Sequence, residues 1–395
     1  MKALSENVEF LLGKKEFSNA TLLPFEKVII NFLKDFSNDL NDHTDVKKYA
    51  DLKSLAFWCR EKNILKNYNF DNINIRLSLG RIFHITPSNI PTNFAYSMIF
   101  GLINGNNNII KVPSKKFAQI NIICEVLKKI LKKNRYKKIK EMITIVKYSS
   151  NDKFTEEISK TCNARVIWGG DKTISEIRKF PIPERSYDIS FADRYSFCVI
   201  NLMKLKKLND YNFKLLIERF YNDTYLVDQN ACSSPHLLVW LGKNKEIKKK
   251  FWKYLLEITK RRYKLTNYAS ISKYNKLCEN ILSLENFSSS QMYENYIYTN
   301  KLKKLNRDNH KLRGKWGFFY ELETNNLNSI ANFINNRYQT LTYYGINKET
   351  VKNFLKKNNV RGIDRIVPIG QALDISFKWD GFDINKVFSR VVEIK

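Results

Sequence analysis

The sequence contains few of the residues that interrupt a chain. Its 395 residues include only 13 glycines and 8 prolines, while hydrophobic residues make up 43% of the total. This composition excludes a largely disordered protein, and the length excludes a small disulfide-stapled one. No stretch approaches the ~20 uninterrupted apolar residues that a membrane span requires, so we expect no membrane span.

Cysteines are also few and scattered. The six stand at positions 59, 124, 162, 198, 232 and 278, with no CxxC pair and no cluster with histidine at zinc-ligand spacing. Neither a disulfide framework nor a metal site is therefore expected. The first residues, MKALSENVEFLLGKKEF, interrupt their apolar stretches with Glu6, Glu9 and Lys14, unlike a secretory signal. These features predict a cytoplasmic protein in a reducing compartment.

Acidic residues are scarce relative to basic ones. The chain has 39 Asp and Glu against 68 Lys and Arg, a formal net charge of +29. Such an excess is typical of proteins with polyanionic partners, so a basic nucleic-acid-binding protein is one hypothesis. The lysines instead recur along many helix faces, and neither a helix-turn-helix nor an RRM signature is present. We therefore expect no nucleic-acid partner.

Apolar segments with the spacing of strands and helices alternate along the chain. Buried strands are predicted at 109–112, 142–146, 164–168 and 197–201, with helices between them, one of them polar and near 151–161. This alternation predicts an α/β fold with a parallel sheet covered on both faces. The predicted parts are a helical N-terminal cap (1–75), a Rossmann-like cofactor domain (76–204), a catalytic domain (205–365) and a C-terminal segment that packs back on the core (366–395).

Four turns follow or precede the predicted strands, at 87–93, 111–114, 168–171 and 228–235. Ligands of open α/β sheets bind in the loops at the carboxyl ends of strands. The last turn carries Cys232, and backbone N–H groups at such a turn would lower the pKa of its thiol. Taken alone, Cys232 is better described as one of six small buried hydrophobic residues.

Four strings, in this order and spacing, resemble the acyl-CoA reductase family typified by LuxC, the fatty acid reductase of bacterial luminescence. They are HITPSNIPTNFAYSMIFGLINGNNNIIKVPS, VIWGGDKTISEIRKFP, DQNACSSPHLLVW and RIVPIGQALDISFKWDG. That family resembles in turn the aldehyde dehydrogenase superfamily, in which a Rossmann-like cofactor domain accompanies a domain with a nucleophilic cysteine. The resemblance implies NADPH-dependent reduction of a long-chain fatty acyl thioester, either acyl-CoA or acyl-protein, to the aldehyde.

The resemblance also implies catalytic roles. Cys232 matches the family's nucleophile, which would hold the acyl group as a thioester. Asn89, in the string PSNIP, matches the superfamily asparagine whose amide donates to the oxyanion, a contribution of ~3 kcal/mol. Without the resemblance, Asn89 would be a turn residue before Ile-Pro.

Cofactor-binding residues are implied in the same way. Lys111 matches the lysine of a K-P-x-E string that reaches the adenine ribose, and Ser114 stands where that string has its carboxylate. A carboxylate would repel a 2′-phosphate, so its replacement makes NADPH acceptable. Gly169 and Gly170 match the turn under the nicotinamide, where glycine allows close approach.

The sequence departs from hydrolytic aldehyde dehydrogenases at one functional position. Residues 191–195, FADRY, align with the string that carries their glutamate base, and an apolar residue replaces it. The loss disfavours hydrolysis of an acyl-enzyme and argues against the second alternative, an aldehyde-oxidising dehydrogenase. His236 is a candidate proton donor, although a packed histidine is favoured at the start of an apolar strand.

Partners follow from the family as well. The resemblance implies an acyl-protein synthetase that delivers the acyl group, and a homo-oligomer is expected. Residues 265–312 show little periodicity. Two alternative roles are considered for them, an oligomer contact and part of an acyl tunnel.

Overall fold

The computed structural model describes residues 8–66, 75–149 and 153–394. Residues 1–7 and 67–74, in the predicted helical cap, and residues 150–152, at the start of the helix predicted near 151–161, lie outside the described residues. The chain divides into two compact units, Met1–Ala192 with Phe382–Lys395 and Asp193–Gly381.

The strands are named in chain order. In the first unit they are β1 (Glu9–Leu12), β2 (Ile75–Ser78), β3 (Arg81–Ile85), β4 (Asn107–Lys111), β5 (Ile143–Lys147), β6 (Ala164–Gly169) and β7 (Tyr187–Ala192). The second unit contains β8 (Tyr195–Asn201), β9 (Pro235–Leu241), β10 (Phe287–Tyr293), β11 (Ile297–Leu302), β12 (Phe318–Thr324), β13 (Tyr338–Tyr344), β14 (Arg365–Pro368) and β15 (Lys378–Trp379). The C-terminal residues return to the first unit with β16 (Phe382–Asp383) and β17 (Ser389–Val392).

The helices follow the same order. The first unit contains α1 (Lys27–Asp42), α2 (Ala50–Trp58), α3 (Glu61–Leu65), α4 (Asn93–Ile103), α5 (Ala118–Ile130), α6 (Lys137–Glu141), α7 (Phe154–Ser159) and α8 (Asp171–Arg178). The second contains α9 (Leu202–Lys206), α10 (Asp210–Thr224), α11 (Lys245–Arg262), α12 (Asn267–Ser283) and α13 (Lys348–Lys357). Helix α14 (Ile384–Val387) again belongs to the first unit. Short 3-10 turns lie at Thr44–Lys48, Asn134–Tyr136, Tyr225–Val227, Asn309–Lys311 and Leu327–Phe333.

The first unit is built on a six-stranded sheet in the order β1-β5-β4-β3-β6-β7. Its strands are parallel except β1, which pairs antiparallel with β5. Strands β3 to β6 are buried along nearly their whole length because both faces of a parallel sheet are covered. Helix α4 is buried on every side, which explains why it is apolar all round. The prediction of a parallel α/β fold is confirmed.

The predicted N-terminal cap is part of this unit and is not wholly helical. Helix α1 buries an apolar stripe that includes Ile29, Phe32 and Phe36. Strand β1, which the sequence reasoning missed, extends the sheet at its edge. Strand β2 pairs antiparallel with β17, so the C-terminal residues belong here. The predicted segment 366–395 is therefore divided at residue 381, because only its last part pairs with the first unit.

The second unit is built on a seven-stranded sheet in the order β10-β11-β12-β9-β8-β13-β14. All its strands are parallel except β10. Alternate residues of β8 belong to two different apolar clusters, with Phe197 in one and Cys198 in the other, so both faces of the sheet are covered.

The boundary between the units precedes β8, whereas the sequence predicted it at 204–205. Strand β8 pairs with β9 and β13, and a buried apolar strand does not reveal by itself which sheet it joins. The charged segment 203–210, MKLKKLND, forms most of α9 and the start of α10 within the second unit. Residues 265–312, which showed little periodicity, include α12, β10 and β11.

Candidate active site

The carboxyl edge of the first sheet brings together five of the predicted residues. Asn89 lies in the loop after β3, Lys111 ends β4 and Ser114 follows it, and Gly169 and Gly170 lie where β6 ends. Because β3, β4 and β6 are parallel and adjacent, their carboxyl ends meet at one edge. From β3 the chain continues to β4 on one side of it, and after β5 it crosses to β6 on the other side of β3. Open α/β sheets bind ligands at the point where the strand order reverses in this way.

Lys111 and Ser114 both contact Tyr148. The Lys111 Nζ lies 4.5 Å from the centroid of the Tyr148 ring, and Ser114 Oγ donates a hydrogen bond to the Tyr148 carbonyl oxygen at 3.2 Å. Ser114 is exposed. The position where a superfamily carboxylate is expected therefore presents a neutral hydroxyl to solvent.

Gly170 precedes helix α8 and faces open space. Its φ and ψ are −72° and 166°, no side chain caps the helix there, and a Cβ at this position would meet nothing within 4 Å. A Cβ at Gly169 would approach the Thr173 side chain at 3.1 Å. The first N–H groups of a helix attract anions. Open space, helix N–H groups and the Lys111 ammonium at one edge fit a dinucleotide, which carries a pyrophosphate.

The loop that carries Cys232 is fixed by its own backbone and by Gln229. Asp228 and Gln229 both adopt left-handed conformations, with φ of 53° and 59°. The Gln229 side chain donates to the carbonyl oxygens of Pro235 and Phe318 at 3.0 and 3.1 Å and accepts from the Gly317 N–H at 3.2 Å. All the polar atoms of this buried amide are thus used to join the loop to the amino ends of β9 and β12.

Cys232 lies at the amino end of β9, not at the carboxyl edge that the general rule for α/β sheets suggested. The Ser196 hydroxyl donates to the Cys232 carbonyl oxygen at 2.6 Å and accepts from the Thr340 N–H at 3.1 Å. These bonds tie the cysteine to β8 and β13, whose amino ends lie beside that of β9. The Cys232 loop therefore lies at the amino ends of its strands, whereas the predicted residues of the first unit lie at the carboxyl ends of theirs.

The thiol of Cys232 is half-buried, and burial raises its pKa to about 12. The expected lowering of this pKa by backbone N–H groups is wrong, because the loss of water around the sulfur outweighs every group that favours the thiolate. Cys59, Cys124, Cys162 and Cys198 are buried, whereas Cys278 is half-buried like Cys232. At neutral pH the folded chain thus holds Cys232 as a thiol.

Four side chains face the Cys232 sulfur and shift its pKa in opposite directions. The carboxylates of Asp380 and Asp193 raise it, whereas a hydrogen bond from Gln339 and the charge of Arg313 lower it. Arg313 Nη1 lies 2.7 Å from Asp193 Oδ1. Sequence reasoning missed these residues because they come from distant segments. The available signal was limited to Asp193, just before β8, and Gln339, at the start of β13.

Asp380 is the centre of a buried polar group. It accepts hydrogen bonds from Gln339 Nε2 at 2.8 Å and from Arg194 Nη1 at 3.1 Å. Arg194 also binds Asp364, with 2.7 Å between Nη2 and Oδ2. Burial nevertheless raises the pKa of Asp380.

His236 is packed, as the sequence reasoning favoured. Its ring stacks on Tyr195 with centroids 5.5 Å apart, and burial lowers its pKa to about 3. A neutral ring with so low a pKa is poorly suited to donate a proton at neutral pH. Phe191, which aligns with the missing base, stacks on Trp168 at 3.9 Å.

The described residues include no group of three His, Cys, Asp or Glu side chains that could hold a metal ion. None of the helices seen in the described ranges is long and apolar enough to cross a membrane.

Solved structures with the same fold are aldehyde dehydrogenases. The NADP complex of glyceraldehyde-3-phosphate dehydrogenase GapN from Methanocaldococcus jannaschii has a TM-score of 0.62 and 13% identity, covering 94% of this chain and 89% of that one. An NAD-dependent aldehyde dehydrogenase from Sinorhizobium meliloti has a TM-score of 0.65 and 10% identity, covering 94% and 82%. An NAD-dependent benzaldehyde dehydrogenase from Corynebacterium glutamicum has a TM-score of 0.62 and 11% identity, covering 93% and 84%. The chain therefore has the aldehyde dehydrogenase fold.

The family is more specific than the fold. No curated protein sequence matches the chain. The family model of the acyl-CoA reductase LuxC matches residues 59–277, which is more than half of it. The chain belongs to the LuxC acyl-CoA reductase family and is an oxidoreductase acting on acyl or aldehyde groups.

Proposed function

We propose that this protein reduces a long-chain fatty acyl thioester to the fatty aldehyde with NADPH, through an acyl-cysteine intermediate. The observation that carries the proposal is the half-buried Cys232 thiol, fixed by the Gln229 and Ser196 hydrogen bonds in a chain of the LuxC family. A fixed sulfur supports nucleophilic catalysis because attack requires alignment with the acyl carbon.

Cys232 acts twice in the proposed sequence. Its sulfur attacks the acyl carbonyl carbon, the thioester bond to CoA or to the acyl-protein breaks, and the departing thiolate takes up a proton. After reduction of the acyl-cysteine, the carbon–sulfur bond of the thiohemiacetal breaks, the electron pair returns to Cys232 and the hydroxyl proton is lost as the aldehyde forms. A cysteine suits both steps because thiolate is a good nucleophile and a good leaving group.

An oxyanion develops on the acyl oxygen in both steps. From the family resemblance we assign the Asn89 side-chain amide and the Cys232 backbone N–H as its donors, each of which would stabilise the charge as it forms. Hydrolysis of the acyl-enzyme is disfavoured because Phe191 stands in place of the base that would activate water. Acyl exchange with a thiol is the reaction that remains.

NADPH, when bound, supplies the hydride that reduces the acyl-cysteine. We propose that Lys111, Ser114, Gly169 and Gly170 hold this cofactor. The exposed Ser114 hydroxyl would leave room for a 2′-phosphate, and Lys111 would contribute a positive charge. The open space at Gly170 would let the cofactor approach the backbone.

The acyl donor and the assembly are proposed from the family alone. We propose acyl-CoA or an acyl-protein formed by a synthetase partner as donor, and a cytoplasmic homo-oligomer as the working form. Of the domain roles, cofactor binding is assigned to the first unit and acyl transfer to the second.

The experiment that tests the function is oxidation of NADPH in the presence of tetradecanoyl-CoA. Wild type, Cys232→Ala and Cys278→Ser are compared, and aldehyde is measured as the product. Acyl-dependent turnover that disappears in Cys232→Ala and persists in Cys278→Ser is expected, since Cys278 is the matched half-buried thiol. Turnover that survives in Cys232→Ala would overturn the mechanism. Aldehyde oxidation without acyl reduction would favour the aldehyde-oxidising alternative.

A further inference from the structure

A tight turn at residues 315–318 leads into strand β12. The Phe318 N–H donates to the Lys315 carbonyl oxygen at 3.1 Å. The two residues between them, Trp316 and Gly317, have φ of 55° and 85°. Positive φ at both central positions is typical of a type I′ turn. This turn therefore needs a left-handed backbone at Trp316 as well as at Gly317.

Trp316 is an unfavourable residue for its place in the turn. Asn, Asp and Gly adopt positive φ readily, whereas a bulky side chain there strains the backbone. Gly317 satisfies the same constraint, and a Cβ at this position would collide with the Tyr225 hydroxyl. The Trp316 side chain is only half-buried, so it is not a core residue. Strained residues of this kind cluster where a side chain contacts a ligand.

Two hydrogen bonds fix the turn against the Cys232 loop. The Trp316 N–H donates to the Asp228 carbonyl oxygen at 3.2 Å, and the Gly317 N–H donates to Gln229 Oε1 at 3.2 Å. Asp228 and Gln229 also have positive φ, so two left-handed segments are joined here. The backbone that carries Trp316 is thus held beside the loop that carries the proposed nucleophile.

The Trp316 ring belongs to an exposed apolar surface. It meets the Tyr268 ring edge to face, with centroids 5.7 Å apart, and Lys315 Nζ lies 5.8 Å from its centroid. Tyr268 is 72% exposed, and Ile271, three residues further along the same face of α12, is 61% exposed. Trp316, Tyr268 and Ile271 form the Trp316 surface. Contiguous exposed apolar side chains of this kind mark binding sites.

An aliphatic chain is the ligand whose chemistry suits the Trp316 surface. Aromatic rings and an isoleucine side chain bury methylene groups without needing hydrogen-bond partners from the ligand. The chain of an acyl thioester must also lie near the Cys232 loop when its carbonyl carbon is at the sulfur. The hydrogen bonds to Asp228 and Gln229 place the surface beside that loop. A second copy of this protein is the competing occupant.

We propose that Trp316, with Tyr268 and Ile271, binds the aliphatic chain of the acyl donor and sets the preference for long chains. Trp316 is then a specificity-determining residue, and the left-handed turn presents its ring at the surface at some loss of stability. The identity of the ligand rests on the proposed function, in which an acyl thioester is the substrate.

The test is isothermal titration with two thioethers, S-tetradecyl-CoA and S-butyl-CoA. A thioether has no carbonyl carbon for Cys232 to attack, so binding is measured without turnover. Wild type should bind the longer chain more tightly. Trp316→Asn should reduce the ratio of the two affinities about tenfold, because about two methylene groups lose their contact and each contributes about fourfold.

Two further variants show whether the aromatic ring itself is responsible. Trp316→Phe keeps a ring and should retain most of the affinity ratio. Tyr211→Asn is the matched control, since Tyr211 is a 75% exposed aromatic residue of α10, and it should leave the ratio unchanged. A ratio that falls equally in Tyr211→Asn would overturn the proposal.

Thermal unfolding separates a ligand contact from a packing role. Asn suits the positive φ, so Trp316→Asn should unfold at the wild-type temperature or above it. A lower unfolding temperature with an unchanged affinity ratio would make Trp316 a packing residue and overturn the proposal. Trp316→Gly, which also suits this backbone, is the second variant should the asparagine chain fail to fold, and the same loss of chain-length preference is expected.

The remaining outcomes distinguish this proposal from the proposed function. Wild type that binds both thioethers equally would overturn the Trp316 assignment. An unchanged affinity ratio in Trp316→Asn with a smaller assembly by light scattering would also overturn it and make the surface a contact between copies. A chain-length preference that depends on Trp316, together with no acyl reduction by wild type, would sink only the proposed function. Acyl reduction by wild type with an unchanged ratio in the variants would do the reverse.

Discussion

The hydroxyl of Ser196 donates a hydrogen bond to the carbonyl oxygen of Cys232 over 2.6 Å. The hydroxyl oxygen of Ser196 in turn accepts a hydrogen bond from the Thr340 N–H at 3.1 Å. One fully buried hydroxyl thus joins three neighbouring strand ends, those of β8, β9 and β13. This small side chain therefore helps to fix the position of the proposed nucleophile.

Ser196→Ala should destabilise the second unit. Without the hydroxyl, the Cys232 carbonyl and the Thr340 N–H remain buried without this partner, at a cost of about 1–3 kcal/mol for an unsatisfied group. Hydrogen exchange of peptides from β8 and β13 is the measurement, because it reports on this unit separately. Ser290→Ala, at an exposed position of β10, is the control. Equal protection in Ser196→Ala and wild type would contradict the bridging role.

Ser114→Glu should shift the cofactor preference from NADPH toward NADH. A carboxylate there would repel the 2′-phosphate, and the neutral hydroxyl does not. We expect kcat/KM with NADPH to fall at least about tenfold relative to that with NADH, which corresponds to about 1.4 kcal/mol. Ser114→Gln adds similar bulk without charge and should change the ratio much less. An equal shift in both variants would mean that bulk, not charge, decides.

Gly170→Ala separates cofactor binding from folding. An added Cβ meets nothing within 4 Å and the backbone conformation suits any residue, so stability should stay within about 0.5 kcal/mol of wild type. If the cofactor packs on this glycine, its affinity, measured by isothermal titration with NADPH, should fall. Unchanged affinity would move the cofactor away from this turn.

Gly101→Ala is the contrasting variant. A Cβ at Gly101 would overlap the Asn108 side chain, which lies 3.0 Å from His84 Nε2 through its Oδ1. His84 Nδ1 in turn lies 2.8 Å from Ser97 Oγ. This variant should therefore lose stability by about 1–3 kcal/mol through overpacking of a buried polar group, as thermal unfolding would detect.

The sequence predicted the alternation of elements well and their assembly less well. The predicted apolar runs located β4, β5 and β6 within a few residues, because buried parallel strands leave that signature. The same signature could not assign β8 to a sheet, since strand pairing is decided by tertiary contacts. Strand β1 was missed because its four residues begin with an exposed Glu9 and lie among charged neighbours.

The candidate site shows the same contrast between residues that short sequence strings reveal and relations that only tertiary contacts create. Cys232, Lys111 and Gly170 were found because they lie in short strings next to strand ends. Gln339 and Asp380 were not, because their relation to Cys232 exists only in three dimensions, across more than a hundred residues of chain. The direction of the Cys232 pKa shift was also wrong, since desolvation depends on packing that a turn motif does not encode.

Asp223 should make stability depend on pH. Its buried carboxylate accepts from the N–H groups of Gly370 and Ala372 at 2.6 and 2.9 Å. Burial nevertheless raises its pKa from 3.8 to about 7. Between these values the folded chain holds a proton that the unfolded chain releases. The free energy of unfolding therefore falls as the pH rises from about 4 to about 7, and this contribution is constant above that range.

Asp223→Asn removes this titration while keeping one acceptor for the loop at 370–372. The difference in unfolding free energy between the variant and wild type should change in favour of the variant by about 2–3 kcal/mol from pH 5 to pH 8, because only wild type must bury a charge at the higher pH. Urea unfolding at intervals of half a pH unit measures this difference. Asp308→Asn, at an exposed position, should show no such trend. Parallel stability curves for Asp223→Asn and wild type would mean that the Gly370 and Ala372 N–H groups compensate the carboxylate fully and hold its folded pKa near the ordinary value.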